Sequence, residues 1–369
     1  MFPPGSSVPE RSKKSWGIRR EPDKEKNMTM MIDAHSHGFH GPSLDQLRKA
    51  GGDWLEKTLD TLLTLTSDKP SFIDVDLRVE MLERNGIDLQ VVTPGHMMDA
   101  NLLPGEPRAQ LALARALNDN MARLRDASKG KLLPMGSVPL ADFEKGGSQE
   151  LERAMKNLGL EGISLPTNLI GKPVDLPEFE PFWAKVAEMN VPIFLHPQDP
   201  VSHVDRPYEA DWGLSHTFAW PYDTVLMLTR LVFSGIMEKY PTLKIISHHL
   251  GGGMIPFLWG RISESYAPDN TLGNLQRKIG RTFPKPLFEY FSRFYYDTAV
   301  GGSGPAIRCA YDVFGPDRIV FATDLPWGPG SGEKRLATYP NVITSLGFPE
   351  AHTQKIFEGN IRRILTKTI

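Results

Sequence analysis

From Met31 onward, short apolar runs rich in valine and isoleucine recur along the chain, and a segment with helical periodicity follows most of them. Segments such as "DLRVEMLERNG" and "SQELERAMKNLG" predict helices that end at a glycine. The apolar runs predict eight strands: "MMIDAHSH" (30–37), "DLQVVTP" (88–94), "LLPMGSVP" (132–139), "GISLPT" (162–167), "PIFLHP" (192–197), "KIISHH" (244–249), "FYYDT" (294–298) and "RIVFATD" (318–324). Eight strands alternating with helices predict a (β/α)8 TIM barrel, with a doubly wound open sheet as the alternative.

Two stretches lack a clear strand or helix pattern, residues 38–72 and 266–291. Both are long for connections in this architecture, so we expect loops that cover the active-site mouth or build an interface. Residues 1–30 are rich in proline, serine and charge and lack the apolar core of a secretion signal. They predict a disordered N-terminal extension, and residues 31–369 predict a single barrel domain.

Composition narrows the class of partner. The chain has 42 Lys+Arg against 44 Asp+Glu, a formal net charge of -2, so no basic footprint for nucleic acid or an anionic membrane is present. No apolar run is long enough for a membrane span. A small-molecule substrate is therefore expected. The single cysteine, Cys309, cannot form an internal disulfide, which favours a reducing, cytoplasmic location.

Candidate chemistry lies at the ends of the predicted strands, where TIM barrels form their active sites. The polar residues at these ends are His35 and His37 on the first strand, His196 on the fifth, His248 and His249 on the sixth, and Asp324 on the eighth. Side chains two apart on a strand point the same way, so His35 and His37 project together. By the same alternation, only one of His248 and His249 is expected to reach the site, and periodicity does not say which.

Four of these residues, His35, His37, His196 and Asp324, offer the nitrogen and oxygen donors that a divalent ion such as Zn(II) prefers. Three or four such ligands leave a position for water or substrate, so the pattern predicts a catalytic metal site. The alternative for a single strand-end histidine is ordinary packing. For Asp324, the alternative is opening the turn at "DLP".

The chain resembles the amidohydrolase superfamily, in the branch typified by 2-amino-3-carboxymuconate-6-semialdehyde decarboxylase. The resemblance extends from about Met31 to the C-terminus. The motifs that carry it are "IDAHSH", "FLHPQD", "MEKYPTLKIISHHLGGGMIPFLWGRI", "FATDLPWG" and "GNIRRIL".

The resemblance implies one divalent metal ion, Zn(II) with Mn(II) as the alternative, held by His35, His37, His196 and Asp324. It also implies that His249, immediately before the glycine-rich turn, is the catalytic acid/base beside the metal-bound water, with Asp324 taking part in catalysis.

The Gly-Arg pair that ends at Arg261 resembles the branch's arginine that binds a substrate carboxylate in the neighbouring subunit's site, which implies a homodimer. The alternative is that Arg261 is an ordinary surface residue.

The chain departs from the branch in two places. Leu250 looks inserted before the glycines, and no arginine in the stretch before "DLRVEML" matches the branch's other carboxylate-binding position. In addition, "GISLPT" carries no lysine that could bridge two metals. We therefore expect a mononuclear site and a substrate other than a muconate semialdehyde. Four loop residues at the same barrel end are expected either to line an aromatic-binding pocket or to pack the loops: Trp212, His216, Trp220 and Trp327.

These features predict a metal-dependent, non-oxidative decarboxylase of an unsaturated or aromatic carboxylic acid. The alternative is a metal-dependent hydrolase or hydratase that acts on a lactone, an amide or a carbon-carbon bond at the same site, because shared ligands do not fix the reaction. A non-enzymatic scaffold with a structural metal is disfavoured, since structural zinc sites close their coordination.

Overall fold

The computed structural model of the protein describes residues 30–94, 96–198, 211–278 and 283–365. The predicted extension up to residue 29 and the last four residues of the predicted barrel domain lie outside these ranges. The strands are β1 Ile32–Asp33, β2 Leu89–Val92, β3 Leu132–Pro134, β4 Ile163–Pro166, β5 Asn168–Leu169, β6 Lys172–Pro173, β7 Ile193–His196, β8 Ile245–Ser247, β9 Tyr295–Asp297 and β10 Ile319–Val320.

Helices follow most of the strands, as a βα repeat requires. Their bounds are α1 Leu44–Leu65, α2 Val75–Arg84, α3 Pro107–Ala127, α4 Gly147–Glu152, α5 Glu180–Met189, α6 Trp220–Phe233, α7 Ile236–Lys239, α8 His248–Gly252, α9 Met254–Phe257, α10 Trp259–Ser265, α11 Thr271–Lys278, α12 Leu287–Phe291, α13 Gly304–Phe314, α14 Glu333–Ser345, α15 Glu350–Gln354 and α16 Asn360–Ile364. None of the described helices is both long and apolar enough to cross a bilayer.

The parallel strands form a closed barrel. One sheet has the order β1-β2-β3 and the other β10-β9-β8-β7-β4. Parallel bridges from Gly136 to Ile163 and from Ser36 to Leu325 join the two sheets at both edges. The (β/α)8 barrel is therefore confirmed, and each predicted strand contains one barrel strand. Strands β5 and β6 form a small antiparallel hairpin that the sequence pattern did not reveal.

Two apolar clusters hold the fold together. The larger lies between the barrel wall and the surrounding helices. The smaller fills the barrel interior, where Ile32, Val91, Phe194 and Ile246 meet, and α16 adds Ile361 to it. Met30 and Tyr295, which stand where strands begin, pack against this cluster. It therefore closes the amino end of the barrel and leaves the carboxyl end for the polar residues.

The expectation of a loop over residues 38–72 is wrong, because most of this stretch is helix α1, which packs against α3. Its leucines at 44, 47, 55, 59 and 62 are buried and follow helical spacing on either side of Gly52. Gly52 has a φ of 57° and kinks the helix, which obscured the periodicity. Residues 266–291 likewise contain α11 and α12 rather than a loop alone.

Candidate active site

The site is built on the histidine pair that follows β1. Both imidazoles are buried, and their ring centroids lie 4.7 Å apart. His196, the last residue of β7, brings its ring to 5.4 Å from His35 and 4.9 Å from His37. One ring nitrogen from each of the three histidines lies within 4.8 Å of the others. The carboxyl ends of two strands therefore converge on one point.

Hydrogen bonds determine which nitrogen two of these rings present. Thr93 Oγ1 lies 3.1 Å from the Ser36 carbonyl, to which its hydroxyl donates, so it accepts from His37 Nδ1 at 3.0 Å. His196 Nδ1 donates to the Pro197 carbonyl at 2.6 Å. In each ring the proton is then on Nδ1, and Nε2 keeps its lone pair. This is the tautomer that a metal ion requires.

Asp324 and His35 add their donor atoms to the same point. Asp324 Oδ1 lies 3.3 Å from His35 Nε2 and 3.4 Å from His37 Nε2. Among the described residues, neither ring nitrogen of His35 has a hydrogen bond of acceptable geometry, although both are buried. Buried lone pairs and a carboxylate facing one another are unfavourable unless a cation lies between them. The donor set therefore fits a divalent ion.

The protonation states are those that ligands need. Burial lowers the pKa of the His35 imidazole well below its usual range, and the neighbouring His248 lowers it further. Burial alone would raise the pKa of the Asp324 carboxyl, but the close contacts with the His35 and His37 imidazoles hold it well below its usual range. A neutral imidazole and an ionised carboxylate result at neutral pH.

The two consecutive histidines after β8 take different places. His248 is fully buried, its ring stacks on that of His35 at 3.5 Å, and its Nδ1 bonds Asp297 Oδ2 at 2.7 Å. His249 begins a left-handed turn at a φ of 55°, and four further residues with positive φ follow it. This turn brings His249 to the cavity wall, with Nε2 3.9 Å from Asp324 Oδ2.

A cavity of about 750 Å³ opens above the cluster. His37, His196, His249 and Asp324 form its polar floor. Its other lining residues include His216, Trp220, Pro221, Ala299, Val300, Trp327 and Arg335. Apolar and aromatic groups therefore surround the polar floor, as in a pocket for a small organic ligand.

The predicted pocket residues do not all reach this cavity. His216, Trp220 and Trp327 line it, and the rings of His216 and Trp220 are 5.0 Å apart. Trp212 does not line it: this residue adopts a φ of 53°, and 91% of its surface is exposed. Arg261 is exposed on α10 and is not among the residues that line the cavity of its own chain.

Sequence reasoning missed the cavity arginine, Arg335, whose Nη1 is 2.9 Å from Asp324 Oδ2. It also missed Asp297, the partner of His248. The sequence signal for Asp297 was its place at the end of the seventh predicted strand, "FYYDT". Arg335 gave no such signal, because an arginine in the first turn of a helix is most often on the surface.

A buried polar network supports the floor from below. Asp33 Oδ1 accepts from the backbone amides of His35 at 3.2 Å and Thr323 at 2.9 Å. Its Oδ2 accepts from Gln90 Nε2 at 2.7 Å, and Gln90 Oε1 accepts from Arg78 Nε at 2.8 Å. The network thus joins β1, β2 and α2 to the segment that carries Asp324.

Comparison with known proteins identifies the family. Residues 32–367 match the family model described as amidohydrolase. The chain is 27% identical to 2-amino-3-carboxymuconate-6-semialdehyde decarboxylase of Dictyostelium discoideum, over 79% of this chain and 76% of that protein. It is 30% identical to gamma-resorcylate decarboxylase of Polaromonas sp. (strain JS666), over 78% of this chain and 86% of that protein.

A solved structure gives the same result. The dihydroxybenzoic acid decarboxylase from Polaromonas sp. JS666, which contains bound manganese and the inhibitor 2-nitroresorcinol, superposes with a TM-score of 0.73 at 26% identity. The match covers 91% of this chain and 97% of that structure. The resemblance seen in the sequence is confirmed: this chain belongs to the amidohydrolase family, and these relatives within it are carboxy-lyases.

Proposed function

We propose that this protein is a metal-dependent, non-oxidative decarboxylase of an aromatic carboxylic acid. The observation that supports it is the convergence of three histidines and Asp324, with His249 beside them, on the floor of an apolar and aromatic cavity. The relatives described above act on dihydroxybenzoic and carboxymuconate acids, as their names state. An apolar cavity with a few convergent polar groups suits a ring that carries polar substituents.

Four residues would hold the metal in this proposal: His35, His37, His196 and Asp324. Zn(II) is the first candidate, and Mn(II), present in the Polaromonas structure, is the second. When bound, the ion supplies Lewis acidity toward a substrate oxygen. Removal of the metal by a chelator is expected to abolish activity, and stoichiometric Zn(II) or Mn(II) is expected to restore it. Full activity in chelator-treated protein shown to be metal-free would contradict this role.

The chain's own residues then orient the acid and move one proton. Trp220 and Trp327 offer flat apolar walls against which a ring can stack. In the reaction, His249 takes a proton from solvent and donates it to the ring carbon that carries the carboxylate. The bond between that carbon and the carboxyl carbon then breaks, its electron pair returns to the ring, and carbon dioxide leaves, so that His249 is neutral again.

The first test measures carbon dioxide release and metal content in the same preparation. Ortho-hydroxybenzoates and muconate-type acids serve as substrates. Benzoate, which has the same ring but no hydroxyl group, is the control acid. Carbon dioxide from at least one hydroxylated acid, at about one metal per chain, is the expected result. Bound metal with turnover of lactones or amides and no carbon dioxide would instead support the hydrolase alternative.

We also propose that the protein is a homodimer. Phe218, Tyr222 and Leu226 are 66%, 50% and 42% exposed and stand four residues apart, on one face of α6 and the turn before it. Phe257, 77% exposed, lies on the adjacent α9. Exposed apolar groups in such a patch are typical of an interface. Arg261 lies on the next helix, α10, and in this proposal it reaches the cavity of the second copy.

Introducing charge into this patch is expected to give monomers. The double variant Tyr222→Glu/Leu226→Glu removes apolar contact area and sets like charges from the two copies near each other. Light scattering after size-exclusion chromatography measures the mass. The control is Leu65→Glu, a single exposed leucine at the end of α1, which should leave the mass unchanged. A wild-type mass of about 41.2 kDa, that of a single chain, would rule out the dimer.

A further inference from the structure

Arg335 lies in the first turn of α14. Its side chain reaches back to the segment that follows β10, the eighth strand of the barrel. Its Nη1 donates to Asp324 Oδ2 at 2.9 Å and to the Thr323 carbonyl at 3.1 Å. The Asp324 carbonyl is 3.4 Å from the same nitrogen. One guanidinium nitrogen therefore contacts both the side chain of Asp324 and the backbone on either side of its Cα.

The contact gives the two oxygens of Asp324 different surroundings. Oδ1 faces the Nε2 atoms of His35 and His37 at 3.3 Å and 3.4 Å. Oδ2 points to Arg335 instead. The terminal torsion of an aspartate is broad and roughly two-fold, so an unrestrained carboxylate exchanges its oxygens easily. A charged donor on one oxygen removes that freedom, and charge-assisted bonds are the stronger ones.

The backbone contacts act in the same direction. Asp324 has a φ of 63°, in the left-handed region that residues with a side chain seldom adopt. Arg335 binds the carbonyl oxygens on both sides of this residue, which holds the turn in place. The guanidinium also needs space next to Gly328, since a Cβ there would lie 2.4 Å from Arg335 Nε. The glycine-rich segment after Asp324 therefore leaves room for the arginine.

We infer that Arg335 is a positioning residue that presents a single oxygen of Asp324, Oδ1, to the histidine pair and thereby sets the metal affinity of the site. The inference rests on the metal centre of the proposed function. It adds a residue outside the predicted ligand set, from the first turn of a helix beyond the barrel strand. Arg335 acts through Asp324 and does not itself touch the ion.

The test is a titration of metal-stripped protein with Mn²⁺ alone, with free Mn²⁺ measured by electron paramagnetic resonance. Arg335→Met keeps much of the apolar stem and removes the donors. Mn²⁺ affinity is expected to fall about 10- to 100-fold, the usual effect of removing a group that orients a ligand. Arg335→Lys, which keeps a charge and a donor, should recover part of this loss. Lys334→Met, an exposed neighbour on the same helix, should bind as wild type does.

The unfolding temperature of each metal-free variant separates positioning from general stability. Wild-type Mn²⁺ affinity in Arg335→Met would overturn the inference, whether or not the unfolding temperature falls. So would a rise in KM for the acid with unchanged Mn²⁺ affinity, because that result would make Arg335 a substrate-binding group. If Arg335→Met does not fold, Arg335→Lys must show the weaker binding alone. Absence of Mn²⁺ binding by the wild type would overturn the metal centre itself, and this inference with it.

Discussion

Replacing His249 with glutamine is expected to lower the rate of carbon dioxide release by about 10²- to 10⁴-fold, the usual contribution of a positioned acid or base. His249 lines the cavity, and its Nε2 stands 3.9 Å from Asp324 Oδ2. Burial lowers the pKa of its imidazole, while the carboxylates of Asp324 and Asp297 oppose that shift. Metal content should remain at the wild-type level, because the three histidines and Asp324 of the predicted ligand set are intact. Steady-state kinetics and metal analysis on the same sample measure both.

The neighbouring histidine provides the matched control. His248→Gln removes a buried ring that stacks on His35 and breaks the bond to Asp297. A buried carboxylate without its partner is costly, so this variant is expected to lose thermal stability as well as activity. Activity that survives in His249→Gln but not in stable, metal-loaded His248→Gln would assign the proton transfer to His248 instead.

The barrel could be predicted because parallel strands that are buried on both faces form continuous apolar runs, and these runs can be counted in the sequence. The ends of the strands could also be identified, since a histidine at the end of such a run interrupts the apolar pattern. Helix α1 was missed because Gly51 and Gly52 interrupt its leucine spacing, and the buried leucines on either side of this kink belong to a helix that packs against α3. Tertiary contacts of that kind leave no local trace in a sequence.

The convergence of the predicted ligands could be expected from the sequence, but the residues that hold them in place could not. His35 and His37 share a face by strand alternation alone. The choice between His248 and His249 depends on the left-handed turn, which begins at a residue that seldom adopts positive φ. Arg335 and Arg78 are charged side chains on amphipathic helices, where exposure is the usual expectation. Only the fold reveals that both turn toward the barrel.

Arg78 is the clearest example of an unexpectedly buried charge. Only 1% of its surface is exposed, on helix α2. Its Nη1 donates to the His37 carbonyl at 2.7 Å, and its Nη2 is 3.4 Å from the Leu325 carbonyl. Burial lowers its pKa to about 10, and burial raises the pKa of Asp33 to about 6, so both groups are charged at pH 8. One cation thus links the ends of the first and eighth barrel strands.

Replacing Arg78 with methionine is expected to lower the free energy of unfolding by about 3–5 kcal/mol, the usual effect of removing one partner from a buried charged network. The change leaves Asp33 without a compensating charge and two strand-end carbonyls without a donor. Denaturant unfolding of the metal-free protein at pH 8 measures the loss. The control is Arg84→Met, six residues later on the same helix, where an exposed pair with Glu333 should matter little. Equal denaturant midpoints for Arg78→Met and Arg84→Met would show that the buried Arg78 cation does not hold the strand ends together.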